Sequence, residues 1–105
     1  MASGDLRVAT DGAVLRCAGG VYDRDDVGEF AGAVRAALAR VRRSIVVDMS
    51  ALDFFSSLAV GAAVTLRREA RRQGADVAFF ARPDTVAHRV LSVAGIPIAA
   101  SDVPG

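Results

Sequence analysis

Apolar and polar positions alternate in ways that divide the chain into short strands and amphipathic helices. Leu6 to Thr10 and Val14 to Ala18 are runs rich in β-formers, separated by Asp11-Gly12. Asp-Gly between two such runs predicts a tight hairpin, because glycine accepts the positive φ that the turn requires. Gly19-Gly20 is expected to end the second strand. Beyond it, Val27, Phe30, Val34, Leu38 and Val41 recur at steps of three and four, the spacing of one helix face. Asp26 and Glu29 stand at its start in the manner of a capping box. Arg40, Arg42 and Arg43 fall where the helix dipole favours cations.

Ile45-Val46-Val47 is an unbroken β-branched run, as expected of a strand covered on both faces. Asp48 to Phe55 reads as a connection into a second helix, where Ala59, Ala62, Ala63, Leu66 and Ala70 repeat at helical spacing. Gly74 suits its C-terminal stop. Val77 to Ala81 reads as another buried strand. Pro83-Asp84 opens a third helix, with Val86, Val90, Leu91 and Ala94 inward and Gly95 after it. Ile96 to Ala100 is a candidate final strand, with Pro97 tolerated only at an edge. The order β-β-α-β-α-β-α predicts an α/β fold, with right-handed crossovers and parallel pairs beside the hairpin.

Composition narrows the chemistry. All 13 basic residues among the 105 are arginine, and against 12 acids they leave a net charge of +1. Without lysine there is no P-loop and no Schiff-base nucleophile. Near-neutrality argues against direct nucleic-acid binding, which usually carries a basic excess. Hydrophobic residues make up 52%, enough for a packed core. Cys17 is the single cysteine and cannot form an internal disulfide, which fits a reducing compartment. Met1 to Leu6 shows no secretory leader, and Leu58 to Leu66 is far short of the roughly 20 residues that span a bilayer. A soluble cytoplasmic protein without membrane insertion is expected. Cys17 reads as a small buried hydrophobe and His88, the only histidine, as a solvated helix residue. Neither a metal cluster nor a paired nucleophile and base is signalled, so no cofactor and no catalytic residue is expected.

The most informative stretch runs from Asp48 to Gly61. Ser56 or Ser57 sits where an N-cap belongs, its hydroxyl able to accept a free backbone N–H. The same place suits a phosphate, since free N–H groups and the helix dipole point at it. Phe54 and Phe55 are adjacent, so in extended backbone one faces the core and the other becomes a contact residue. Arg67, Arg68, Arg71 and Arg72 form two i,i+4 pairs, read as a solvated face complementing the dipole or as a contact for an acidic partner. Val60 and Val64 lie off the main apolar stripe, where they could form an exposed contact.

Several segments now carry a family likeness. Asp48-Met49-Ser50, Phe54-Phe55, then Ser56-Ser57-Leu58-Ala59-Val60-Gly61 form a strand end, an aromatic loop and a helix start. With Gly19, Arg72-Gln73-Gly74 and Val90 to Ile96, the chain resembles the STAS domain, and within it the single-domain anti-sigma factor antagonists, over residues 5–100. The resemblance implies one STAS-like domain with a four- to five-stranded mixed sheet, an N-terminal β-hairpin and three to four helices. It implies a protein-interaction module and not an enzyme. Its partner would be an anti-sigma factor with serine kinase activity that phosphorylates Ser57, and a phosphoserine phosphatase would reset it. Partner-binding residues carried over by the resemblance are Tyr22, Asp23, Phe54, Phe55, Ser56, Ser57, Leu58 and Val60. The chain departs from the family pattern at Ser56, in place of an acid, at Leu58 in place of a small residue, and at Ala59 in place of glycine. It departs again at Tyr22, in place of an aspartate, unless Asp23 takes that role. These departures leave an alternative, a non-phosphorylated STAS scaffold or accessory subunit of a transport or signalling complex.

Overall fold

Gly12, at φ +59°, turns the chain between β1 (Arg7–Asp11) and β2 (Val14–Val21), which pair antiparallel with Asp11 opposite Val14. The hairpin forms as expected, but its two-residue loop is Gly12-Ala13, because Asp11 is still within the ladder. A computed structural model describes residues 5–103. Four strands form one mixed sheet in the order β1-β2-β3-β4, with β2 parallel to β3 (Ile45–Phe55) and β3 parallel to β4 (Val77–Phe80). Three helices connect and cover it: α1 (Arg24–Val41), α2 (Ser57–Arg72) and α3 (Val86–Ala94). The α/β class, the mixed sheet and the N-terminal hairpin agree with the sequence reading. Four strands and three helices are the lower of the expected numbers among the described residues.

Two strands are longer than their local sequence suggests. Gly19 and Gly20 do not end β2, which continues to Val21, and the expected connection from Asp48 to Phe55 is the second half of β3. Pairing explains both extensions, since Gly19 lies opposite Leu52, Gly20 opposite Phe54 and Val21 opposite Phe55. The register slips twice, between Arg16 and Ala18 and between Gly19 and Gly20, each time with an extra residue on β3. Such bulges break the simple alternation by which a strand is read. Conversely, the expected strand at Ile96 to Ala100 is only a single parallel bridge, Phe79 to Ile98, backed by the Ala99 N–H donating to the Phe79 carbonyl at 2.7 Å.

The core follows the predicted stripes. Phe30, Ala31, Val34 and Ala37 of α1 are buried, as are Ala59, Ala63, Leu66 and Ala70 of α2. Ile45, Val46 and Val47 are buried in succession, as a strand covered on both faces requires. Cys17 is 1% exposed, as expected. In α3 the inward residues are Ala87 and Leu91, whereas Val86 is 48% exposed and Ala94 is also exposed. Thr85 caps that helix, its Oγ1 accepting the His88 N–H at 3.2 Å, so the first turn starts later than Pro83-Asp84 implies. The capping box of α1 likewise shifts by three residues. Asp23 is the N-cap and its Oδ1 accepts from the Asp26 N–H at 2.9 Å, while Asp26 Oδ2 accepts from the Asp23 N–H at 3.3 Å.

Candidate functional site

The end of β3 and the start of α2 meet the end of β2 at one corner of the molecule. The Ser56 N–H donates to the Val21 carbonyl at 3.0 Å, tying the two strand ends together. Ser56 is the N-cap of α2, extended at φ −69° and ψ 165°, and its hydroxyl accepts from the Ala59 N–H at 3.2 Å. Ser57 is therefore the first helical residue, exposed, with its hydroxyl free of the capping task. The first turn of α2 carries no acidic residue. Its positive dipole end is thus not offset by a side chain of its own.

An aromatic pair flanks that helix start. The rings of Tyr22 and Phe54 stack with centroids 4.6 Å apart and planes 10° from parallel. Both are substantially exposed, at 43% and 42%, and Leu58, in the first turn of α2, is 51% exposed. Phe55 turns the other way, 4% exposed, with its ring edge-to-face against Phe30 at 5.3 Å. Gly20 makes room for the stack, since a Cβ there would lie 2.2 Å from the Tyr22 ring. Desolvation pushes the Tyr22 phenol pKa up, and the charges of Asp53, Asp5 and Asp26 push in the same direction. The phenol therefore stays protonated and able to donate near neutral pH.

On its other side Ser57 opens onto a groove of about 590 Å³ between α1 and α2, floored by Val27, Ala31 and Ala62. Cβ atoms added at Gly28 and Gly61 would meet nothing within 4 Å, so the groove is open along its length. Arg24 and Arg35 stand on its α1 wall.

The fold thus gathers Tyr22, Phe54, Ser56, Ser57 and Leu58 at one corner. Three further predicted residues have structural tasks there. Phe55 is core, Val60 is half-buried against the core, and Asp23 spends its carboxylate on capping α1. Asp26, missed as a site-forming residue, is 0% exposed and accepts the Tyr22 N–H at 3.0 Å, fixing the backbone that carries the tyrosine. Asp53 and Gly20 were also missed. Their roles depend on where the Tyr22 ring lies, which its stack on Phe54 sets. Among the described residues no group of histidine, cysteine or carboxylate side chains could hold a metal ion. No helix among them is long and apolar enough to cross a membrane.

Comparison with known proteins gives a consistent picture. No curated protein is similar enough in sequence to count as a match. Among solved structures, an anti-sigma factor antagonist from Mycobacterium paratuberculosis superposes with a TM-score of 0.69 at 18% identity, over 91% of this chain and 85% of that one. The unphosphorylated form of the anti-sigma factor antagonist SpoIIAA superposes with a TM-score of 0.65 at 19% identity, over 87% of this chain and 81% of that one. At such identities these likenesses establish the fold. The family model described as "Mlab, STAS domain" matches residues 6–97, nearly the whole chain, and the protein belongs to the STAS domain family.

Proposed function

We propose that this STAS domain is an anti-sigma factor antagonist, a protein-interaction module that regulates transcription by sequestering an anti-sigma factor. The observation that carries the reading is the exposed Ser57, first residue of α2, beside the stacked and exposed Tyr22 and Phe54. Exposed aromatic pairs of this kind serve as anchors in protein interfaces. The two solved structures whose fold it shares are both anti-sigma factor antagonists, which supports the role. Tyr22, Phe54 and Leu58 form the apolar centre of the docking surface, and the groove between α1 and α2 extends it. The partner is an anti-sigma factor with serine kinase activity, and Ser57 is its phosphorylation site. A phosphate there brings roughly −1.5 to −2 charge onto a helix start, where the dipole accommodates it without refolding the domain. It also places that charge beside the apolar docking centre, which weakens binding. A phosphoserine phosphatase restores the free hydroxyl. The domain acts in the cytoplasm and is itself the substrate of the switch, with no catalytic role.

The test is to incubate the protein with the cognate kinase and ATP, map the modified residue by mass spectrometry, and titrate the partner against variants. Phosphate is expected on Ser57 alone. Ser57→Ala should bind like the parent, and Ser57→Asp at least about tenfold more weakly, a loss of about 1.4 kcal/mol. A second reading, an interaction module that is not phosphorylated, is favoured by Ser56 standing where the family pattern has an acid. Equal binding by the Ala and Asp variants, with no phosphate gained, would replace the first reading with the second.

A further inference from the structure

The C-terminal half of α2 presents a basic surface that the proposed function leaves unused, roughly 20 Å along the helix axis from Ser57. Arg67, Arg68, Arg71 and Arg72 line one wall of a groove whose other wall is Ile96 and Pro97, just beyond α3. Of these four arginines only Arg71 has an ion-pair partner among the described residues, Asp76, with Nε 3.6 Å from Oδ1. The one acid in this half of the helix, Glu69, points elsewhere and pairs with Arg35 of α1 at 3.2 Å. Helix electrostatics do not account for the cluster. The dipole rewards cations in the last turn, which explains Arg71 and Arg72 but not Arg67 and Arg68 one turn earlier. Like charges four apart, as in Arg67 with Arg71 and Arg68 with Arg72, are themselves unfavourable.

We propose that this groove is a second docking surface, which binds an acidic segment of a partner protein. Guanidinium forks match carboxylates two bonds at a time, and several on one wall select a run of Asp and Glu. Ala94 and Pro97 are the exposed apolar residues across the groove, Ile96 being only 7% exposed, and Val64, 38% exposed, stands one turn before Arg67 and Arg68, so the bound segment carries at least one aliphatic side chain among its acids. A protein segment fits better than a membrane, because Val64 is the largest exposed apolar residue lining the groove and none projects far enough to insert. It fits better than a nucleic acid because the chain's net charge is only +1.

The test uses the isotope-labelled full chain and a blocked hexapeptide, Glu-Leu-Glu-Asp-Leu-Glu, followed by NMR. Saturable shifts of the Arg67, Arg68, Arg71 and Arg72 guanidinium signals are expected, weakening as salt is raised. A control peptide with lysine in place of each acid should leave them unmoved. Arg68→Gln combined with Arg72→Gln removes two exposed, unpaired side chains, so it should keep the fold and weaken peptide binding about fivefold. Absence of these shifts, shifts centred elsewhere, or equal shifts with the lysine peptide would overturn the proposal. Tighter binding at the same arginines by phosphatidylserine vesicles or by a single-stranded oligonucleotide would overturn the choice of a protein segment.

Discussion

Adjacent residues of an extended strand point to opposite sides, and at the end of β3 Phe54 and Phe55 divide accordingly. Phe55 packs edge-to-face on Phe30, which is fully buried, while Phe54 supports the exposed ring of Tyr22. The two truncations should therefore separate stability from binding. Phe55→Ala is expected to cost about 3 to 5 kcal/mol in denaturant unfolding, because it opens a cavity in the core. Phe54→Ala is expected to cost less than about 1.5 kcal/mol, yet to weaken partner binding severalfold along with Tyr22→Ala. That one phenylalanine of the pair is buried was legible in the sequence. Which one is buried was not, because the answer depends on the two bulges that set the β3 register.

At the scale of elements, the helix starts organise the candidate site. Ser56, Asp23 and Thr85 each cap a helix through a backbone N–H three residues on. Ser56→Ala is expected to cost about 1 kcal/mol of stability, whereas Ser57→Ala should be close to neutral, and thermal unfolding of the two variants checks the assignment. The presence of the three helices was readable from apolar spacing at Phe30, Val34, Ala63, Leu66 and Leu91. Their starts were less so, since several Asp and Ser residues compete for each cap. Asp26 looked like a cap by its spacing to Glu29 but is the N3 partner of Asp23. Its carboxylate also accepts the Tyr22 N–H, and that bond connects α1 with the aromatic corner.

Across the whole molecule, Cys17 lies in the middle of β2, and burial raises its thiol pKa from 9.0 to about 12, helped by Asp48. Below pH 9 the thiol is neutral in both the folded and the unfolded chain, so it costs no stability there. As the pH rises from 9 toward 12 the unfolded chain alone releases the proton, and stability falls by up to about 1.4 kcal/mol per pH unit. Comparing denaturant midpoints at about pH 8 and about pH 10 should show a larger alkaline loss for the parent than for Cys17→Ala. The same burial predicts slow reaction with thiol reagents until the fold opens. The C-terminal segment is attached separately. Arg16 Nη1 donates to Asp48 Oδ2 at 2.7 Å and to Asp102 Oδ2 at 3.0 Å, fastening it across the sheet.

The sequence by itself determined the α/β class, the hairpin, the apolar stripes and a serine at the head of α2, because these depend on local spacing and on residues close together in the chain. It also determined what the chain lacks for lysine chemistry. The tertiary structure alone decided that Gly20 gives way to Tyr22, that Tyr22 stacks on Phe54, and that Asp23 is committed to a cap. It also decided that four arginines face Ile96 and Pro97 across a groove. The stack and the groove join residues from different elements, and their meeting is set by strand register and helix packing, which no local pattern encodes. Gly20 and Asp23 act on neighbours two and three residues away, and only the backbone path there shows which of the competing residues takes the role.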